Sequence, residues 1–292
     1  MARFVRANRL RFAYRSWGPT DGPLALCLHG FPDHAPTWRH LGPALADAGW
    51  RVVAPWMRGY APTEVPPDGD YGLDTLAADT NALHRALGGD ERAVVVGHDW
   101  GASAAYRATA AAPGRWRAAV TMAVPPEPAL AGARRDPAQL RRSWYMLPLA
   151  LPGGARFLAR DDFALVDRLW REWSPAYVRE PEDRQPLRAT LESPGTADAA
   201  AGYYRAIRGQ LVRGGGVARQ RALPRVPTLY LHGGDDGCIG VEYARRGEPH
   251  LPAGSRVEII ADAGHFLHLE RPDAVADRVI DFLRAIGASQ LP

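Results

Sequence analysis

Val94-Val95-Val96-Gly97-His98-Asp99-Trp100-Gly101-Ala102-Ser103-Ala104-Ala105 is the stretch on which the fold turns. Three β-branched valines read as a buried strand, and the small residues after Gly101 read as the start of a closely packed helix. A strand that turns directly into a helix holds the middle residue of the turn at a strained tip, with its side chain aimed outward. Glycine two residues to either side relieves the backbone crowding, so Gly97-x-Asp99-x-Gly101 has the pattern of a nucleophile elbow. The tip residue is a carboxylate where serine is usual. A carboxylate is ionised at neutral pH and attacks carbon with no base to activate it. Attack at an sp³ carbon makes an alkyl ester, so the expected chemistry is displacement at an alkyl carbon rather than acyl transfer.

Outward from that stretch, 292 residues suffice for one large core with an inserted subdomain. The 46% hydrophobic and 23% charged content is that of a water-exposed globular protein. A net charge of +4 comes from 36 basic residues, all arginine, against 32 acidic ones. The densest pairs, Arg134-Arg135 and Arg141-Arg142, sit in no long basic run, which argues against a nucleic-acid partner. Cys27 and Cys238 are too few for a disulfide framework, and both read as packing residues. Residues Met1 to Arg6 carry no apolar signal segment, and no run of about 18 apolar residues is present to cross a membrane. A cytoplasmic enzyme with no membrane partner is the expectation.

Upstream, Phe4 to Trp17 alternates apolar and polar residues and reads as a strand or hairpin. Leu24 to Leu28 is a continuous apolar run, as for a strand buried on both faces, and ends in His29-Gly30-Phe31-Pro32-Asp33. A helix is expected over Trp38–Ala48, a strand over Arg51–Pro55 and a helix over Leu73–Leu87. Downstream of the elbow, Trp116–Val124 reads as another strand. This alternation predicts a parallel sheet flanked by helices. It breaks at Pro125-Pro126-Glu127-Pro128, and the chain then reads as helical to about Leu223. The predicted organisation is a core of residues 1–124 and 223–292 with a helical lid over 125–222. Gly214-Gly215-Gly216 reads as a loose connection or hinge near the lid's end. Alternation resumes with Thr228–His232, a helix over Val241–Pro249, Arg256–Ile260 and a last helix over Pro272–Ile286. Pro272 would start that helix and Gly287 end it.

An ester on Asp99 must be hydrolysed, which calls for a general base with a pKa near neutrality. His265 in Asp262-Ala263-Gly264-His265-Phe266, just past the final strand, is the best placed of nine histidines. His268 lies three residues on, but no further ligand of suitable spacing accompanies the pair, so no metal and no cofactor are expected. The base needs an acid to fix its tautomer. Asp235 and Asp236 both follow the Thr228–His232 strand; loop spacing favours Asp236, with Asp235 and Glu127 as alternatives. Oxyanion donors are expected at the backbone N–H groups of Trp100, directly after the nucleophile, and of Phe31, after the Leu24–Leu28 strand.

His29-Gly30-Phe31-Pro32, Gly97-His98-Asp99-Trp100-Gly101 and the Asp236/His265 pair together resemble the α/β-hydrolase-fold epoxide hydrolases, and Arg58-Gly59-Tyr60 adds to the likeness. The resemblance spans nearly the whole chain and implies an α/β-hydrolase fold with a helical lid. It implies two lid tyrosines that hold the epoxide oxygen. Ser143-Trp144-Tyr145 before Leu151-Pro152-Gly153 nominates Tyr145. Gly202-Tyr203-Tyr204-Arg205 nominates Tyr204, with Tyr203 as the fallback. The substrate would be a small-molecule epoxide, with water as the second reactant. Trp100, Phe31, Pro32 and Met146 would line its pocket. Ala61 stands where a Gly often follows Arg-Gly-Tyr, and Met146 where a Gln often follows the first tyrosine. A haloalkane dehalogenase also resembles the Asp elbow and His base, and would cradle halide with the Trp100 indole and a second donor such as Trp144, Trp170 or Trp173. Phe31, where those enzymes often carry Asn, and the tyrosine pair argue against it. A non-catalytic small-molecule receptor is the third reading, and a complete nucleophile, acid and base argue against that one.

Overall fold

The computed structural model describes residues 2–212 and 223–288. The chain opens with the hairpin β1 (Arg3–Ala7) and β2 (Leu10–Trp17), whose turn residues Asn8 and Arg9 both have positive φ, as the tightest hairpin turns require. β3 (Leu24–Leu28) follows, then α1 (Leu41–Asp47), β4 (Arg51–Pro55), α2 (Leu73–Ala86), β5 (Val94–His98), α3 (Trp100–Ala111) and β6 (Ala118–Met122). Every residue of β3, β5 and β6 is buried, which is why these runs lack the alternation of β2. β6 stops short of Val124 because Ala123 takes φ 67°, outside the extended region.

Five helices come next: α4 (Pro137–Arg142), α5 (Met146–Ala150), α6 (Gly154–Trp173, interrupted at 160–163), α7 (Pro181–Glu192) and α8 (Thr196–Val212). They pack on one another, α5 against α6 and α8, and α7 against α8. The sheet is then completed by β7 (Thr228–Gly233), α9 (Val241–Arg245), β8 (Arg256–Ile260), α10 (Leu267–Glu270) and α11 (Pro272–Ala288). The eight strands run in the order β1-β2-β4-β3-β5-β6-β7-β8, parallel from β4 to β8. β2 meets both neighbours antiparallel. β5 therefore lies inside the sheet, with its C-terminal end flanked by the ends of β3 and β6.

Three helix boundaries differ from the sequence reading. The helix expected over Trp38–Ala48 is a 3-10 turn, Ala35–Arg39, followed by α1. Pro43 has no N–H to give a helix begun at Trp38, but is tolerated in the first turn of one begun at Leu41. The helix expected over Val241–Pro249 ends at Arg245, and Pro249 falls in a separate 3-10 turn, Glu248–His250. α11 continues through Gly287 to Ala288, so Gly287 is not its stop. Gly214-Gly215-Gly216 lies outside the described residues.

Candidate active site

The elbow after β5 places Asp99 at φ 53° and ψ −115°, a conformation that costs a non-glycine residue about 1–3 kcal/mol. The surrounding chain holds it there. A Cβ on Gly97 would fall 2.2 Å from the Gly101 carbonyl oxygen, so the strand and helix meet only because Gly97 has none. A Cβ on Gly30 would fall 2.3 Å from Asp99 Oδ1, so the loop after β3 can lie directly against the carboxylate. That approach lets the Phe31 N–H donate to Asp99 Oδ1 at 2.7 Å. The Trp100 N–H is the other backbone donor to this carboxylate. Burial raises the Asp99 pKa, and His265 together with the two N–H donors works against that rise.

His265 follows β8, and its Nε2 stands 3.9 Å from Asp99 Oδ2. Its Nδ1 meets Asp236 Oδ2 at 2.9 Å. The other oxygen of Asp236 accepts from the N–H groups of Cys238 (2.7 Å) and Ile239 (3.0 Å), so the carboxylate is clamped from both sides. Burial disfavours charge on both partners. The attraction between them outweighs it, so the Asp236 pKa lies below and the His265 pKa above its ordinary value. His265 Nε2 has no protein partner, which leaves it free for a proton from water. Asp235 is exposed and bonds through its backbone to the Ala263 carbonyl, while Glu127 pairs with Arg107 at 3.6 Å. Neither stands beside His265.

Tyr145 precedes α5 and Tyr204 lies on α8; both are buried, 5.7 Å apart between ring centres and nearly perpendicular. Phe31 stacks on Tyr145 and meets Tyr204 edge-on, and Tyr204 also meets Trp100 at 5.3 Å. The charge of Asp99 acts on both hydroxyls and, after burial, helps to keep them protonated. Tyr203 points elsewhere: its hydroxyl donates to the Arg58 carbonyl at 2.9 Å and its ring packs with Tyr60 and Tyr71. The Pro32 carbonyl accepts from the Trp170 indole at 3.0 Å, and Met146 opens α5, half-buried against the core.

Several residues at this site have roles that the sequence did not indicate. Trp173 ends α6, and its ring meets His265 at 4.8 Å and Tyr145 at 5.0 Å. Its carbonyl accepts from the N–H groups of both His265 (2.9 Å) and Gly237 (3.1 Å), tying the base loop to the acid loop. Glu270 accepts from the Gly264 N–H and steadies the same turn. Cys238, read as packing, lies 3.6 Å from the Tyr145 hydroxyl, with burial raising its thiol pKa. Arg58 of the Arg-Gly-Tyr stretch is a buttress, forked onto buried Asp79 at 2.7 and 2.8 Å. His268 does not pair with His265; it turns to His98 and Asp33.

Elbow, acid and base follow one another in that chain order along a largely parallel sheet, and comparison with known proteins gives the same fold. A family model for the alpha/beta hydrolase fold matches residues 23–272. Epoxide hydrolase 3 of Xenopus tropicalis is 30% identical over 96% of this chain and 76% of its own length. Epoxide hydrolase A of Mycobacterium tuberculosis is 29% identical over 97% of both. The crystal structure of epoxide hydrolase A from Mycobacterium thermoresistibile superposes with a TM-score of 0.81 at 27% identity, covering 97% of this chain and 98% of that one. The family match and these likenesses over nearly the whole chain agree, and the chain belongs to the α/β-hydrolase fold family, among its epoxide hydrolases.

Proposed function

We propose that this enzyme opens an epoxide to a vicinal diol through an alkyl ester on Asp99. Residues 1–124 and 223–292 act as the catalytic core, and 125–222 as a lid that brings Tyr145 and Tyr204 over the nucleophile. Asp99 Oδ2 attacks a ring carbon, the ring C–O bond breaks, and a tyrosine hydroxyl gives the departing oxygen its proton. Asp99 Oδ1, already against the Phe31 N–H, becomes the ester carbonyl oxygen. His265, oriented by Asp236, then takes a proton from water, and the resulting hydroxide attacks the carbonyl carbon of the ester. The N–H groups of Phe31 and Trp100 hold the oxyanion until the bond to the alkyl oxygen breaks; His265 gives its proton to that oxygen, the diol leaves, and the proton left on the Asp99 carboxyl returns to the tyrosine. Phe31, Trp100, Pro32 and Met146 shape the pocket. The observation that carries this reading is one carboxylate with an unpartnered imidazole nitrogen 3.9 Å to one side and two buried tyrosines on which its charge acts.

The test is turnover of styrene-type and aliphatic epoxides beside haloalkanes, with Asp99→Asn as control. Diol release that disappears in the variant supports the proposal. Halide release without diol moves the leaving-group role to the indoles and refutes the part given to the tyrosines.

A further inference from the structure

We propose that Asp33, His98 and His268 form a buried site for one divalent transition-metal ion of the Zn²⁺ type, apart from the nucleophile, base and acid. One ligand atom from each lies within 4.8 Å of the other two, and all three residues are buried. Asp33 Oδ2, His98 Nδ1 and His268 Nδ1 have no hydrogen-bond partner. The protons around them explain why a cation suits the position. His98 Nε2 lies 2.9 Å from the His265 carbonyl, which only accepts, so Nε2 carries the hydrogen. In the neutral ring Nδ1 is then a bare lone pair. His268 Nε2 lies 2.5 Å from Thr37 Oγ1, and the same hydroxyl supports the Asp33 carboxylate. With the Thr37 proton directed at Asp33, His268 Nε2 carries its hydrogen too, and its Nδ1 is the second bare lone pair.

With the Asp33 carboxyl ionised, three unpartnered acceptors sit on side chains whose ligand atoms come within 4.8 Å of one another, at a cost that a cation removes. The outer contacts have the arrangement that metal-binding imidazoles use: each ring gives its far N–H to a carbonyl or hydroxyl, which fixes tautomer and orientation. Two imidazoles and a carboxylate favour Zn²⁺ over Mg²⁺ or Ca²⁺, and leave a fourth position open. Bonds of about 2.0–2.2 Å require the ligand atoms to close to roughly 3.5 Å of one another, a small rotation of each side chain. The ion would join the loop after β3, the end of β5 and α10, the segments that carry Phe31, Asp99 and His265.

The experiment uses full-length protein stripped with chelator and titrated with Zn²⁺ alone by calorimetry. One equivalent per chain is expected, with the unfolding midpoint raised by about 4 °C at a hundredfold excess over Kd. His268→Gln and Asp33→Asn, each checked for fold by circular dichroism, should weaken binding about 100-fold or more. A Zn²⁺-soaked crystal of the unaltered protein should show anomalous density bonded to both Nδ1 atoms and Asp33. A peak without anomalous signal there, a water alone, overturns the proposal. So does binding that survives His268→Gln and is lost in His265→Gln, because the ion then sits on the catalytic base.

Discussion

Replacing Asp236 by Asn tests the acid–base geometry atom by atom. Asp236 Oδ1 accepts from two backbone N–H groups, at 2.7 and 3.0 Å. An asparagine here keeps its carbonyl oxygen in that position, because an amide NH2 has nothing to give two donors. Its NH2 then faces His265 Nδ1, where a carboxylate oxygen now lies at 2.9 Å. His265 Nδ1 must become the acceptor, the ring proton moves to Nε2, and Nε2 can no longer take a proton from water. Tautomer reversal of this kind costs a histidine catalyst about 10⁴ in kcat, equivalent to about 5.5 kcal/mol of activation free energy. The loss should fall on hydrolysis of the ester, since Asp99 needs no base to attack. Rapid-quench mass spectrometry of the Asp99 peptide under single turnover separates the two steps. The expected result is near-normal alkylation, stoichiometric ester and a stalled second step. A dead variant with no ester, or one that turns over within tenfold of the parent, would refute the reasoning.

The tyrosines divide by position. Tyr145→Phe and Tyr204→Phe should each slow ring opening about 10²-fold or more and together abolish it, measured as the alkylation rate. Tyr203→Phe should leave that rate unchanged and cost about 1 kcal/mol in urea unfolding, because it loses only the bond to the Arg58 carbonyl. The His265 pKa lies above 6.5: burial opposes that rise, and Asp236 and Asp99 outweigh burial. Ester hydrolysis should therefore fall as pH drops and His265 takes up a proton, with a stopped-flow midpoint below the free enzyme's, because Asp99 carries no charge in the ester. Stability runs the other way at that residue: the His265 contribution is complete below pH 6.5 and fades as pH rises through the folded pKa. The Asp236 contribution is complete above about pH 4 and fades on acidification, which denaturation across pH will resolve. Asp79→Ala leaves the Arg58 guanidinium buried without its main partner and should cost about 3–5 kcal/mol in chemical denaturation.

What the sequence discloses of this fold is what short-range pattern can carry. The Val94–Val96 run, the Gly97/Gly101 pair and the tip residue lie within a dozen positions, so strand, elbow and nucleophile can be read together. His265 stands out in the same way, by its place after a strand. Two of the three helix boundaries that moved did so near prolines, where the hydrophobic spacing continues but the missing N–H does not allow the helix to. The parts that escaped the sequence are pairings across the chain. Nothing local says that Gly30 must lack a Cβ, since the obstacle is a carboxylate 69 positions away that only the elbow brings near. The Trp173 carbonyl is invisible for the same reason: backbone oxygens carry no residue code, and this one matters because α6 ends where the acid and base loops pass. His268 shows how such pairings change a conclusion. Beside His265 in sequence, it suggests a pair with no third ligand. In the fold its ring turns to His98 and Asp33, from two other segments, and they supply the third donor that the proposed site needs. A set of donors that close together only in three dimensions is tested by geometry, and spacing along the chain is no argument against it.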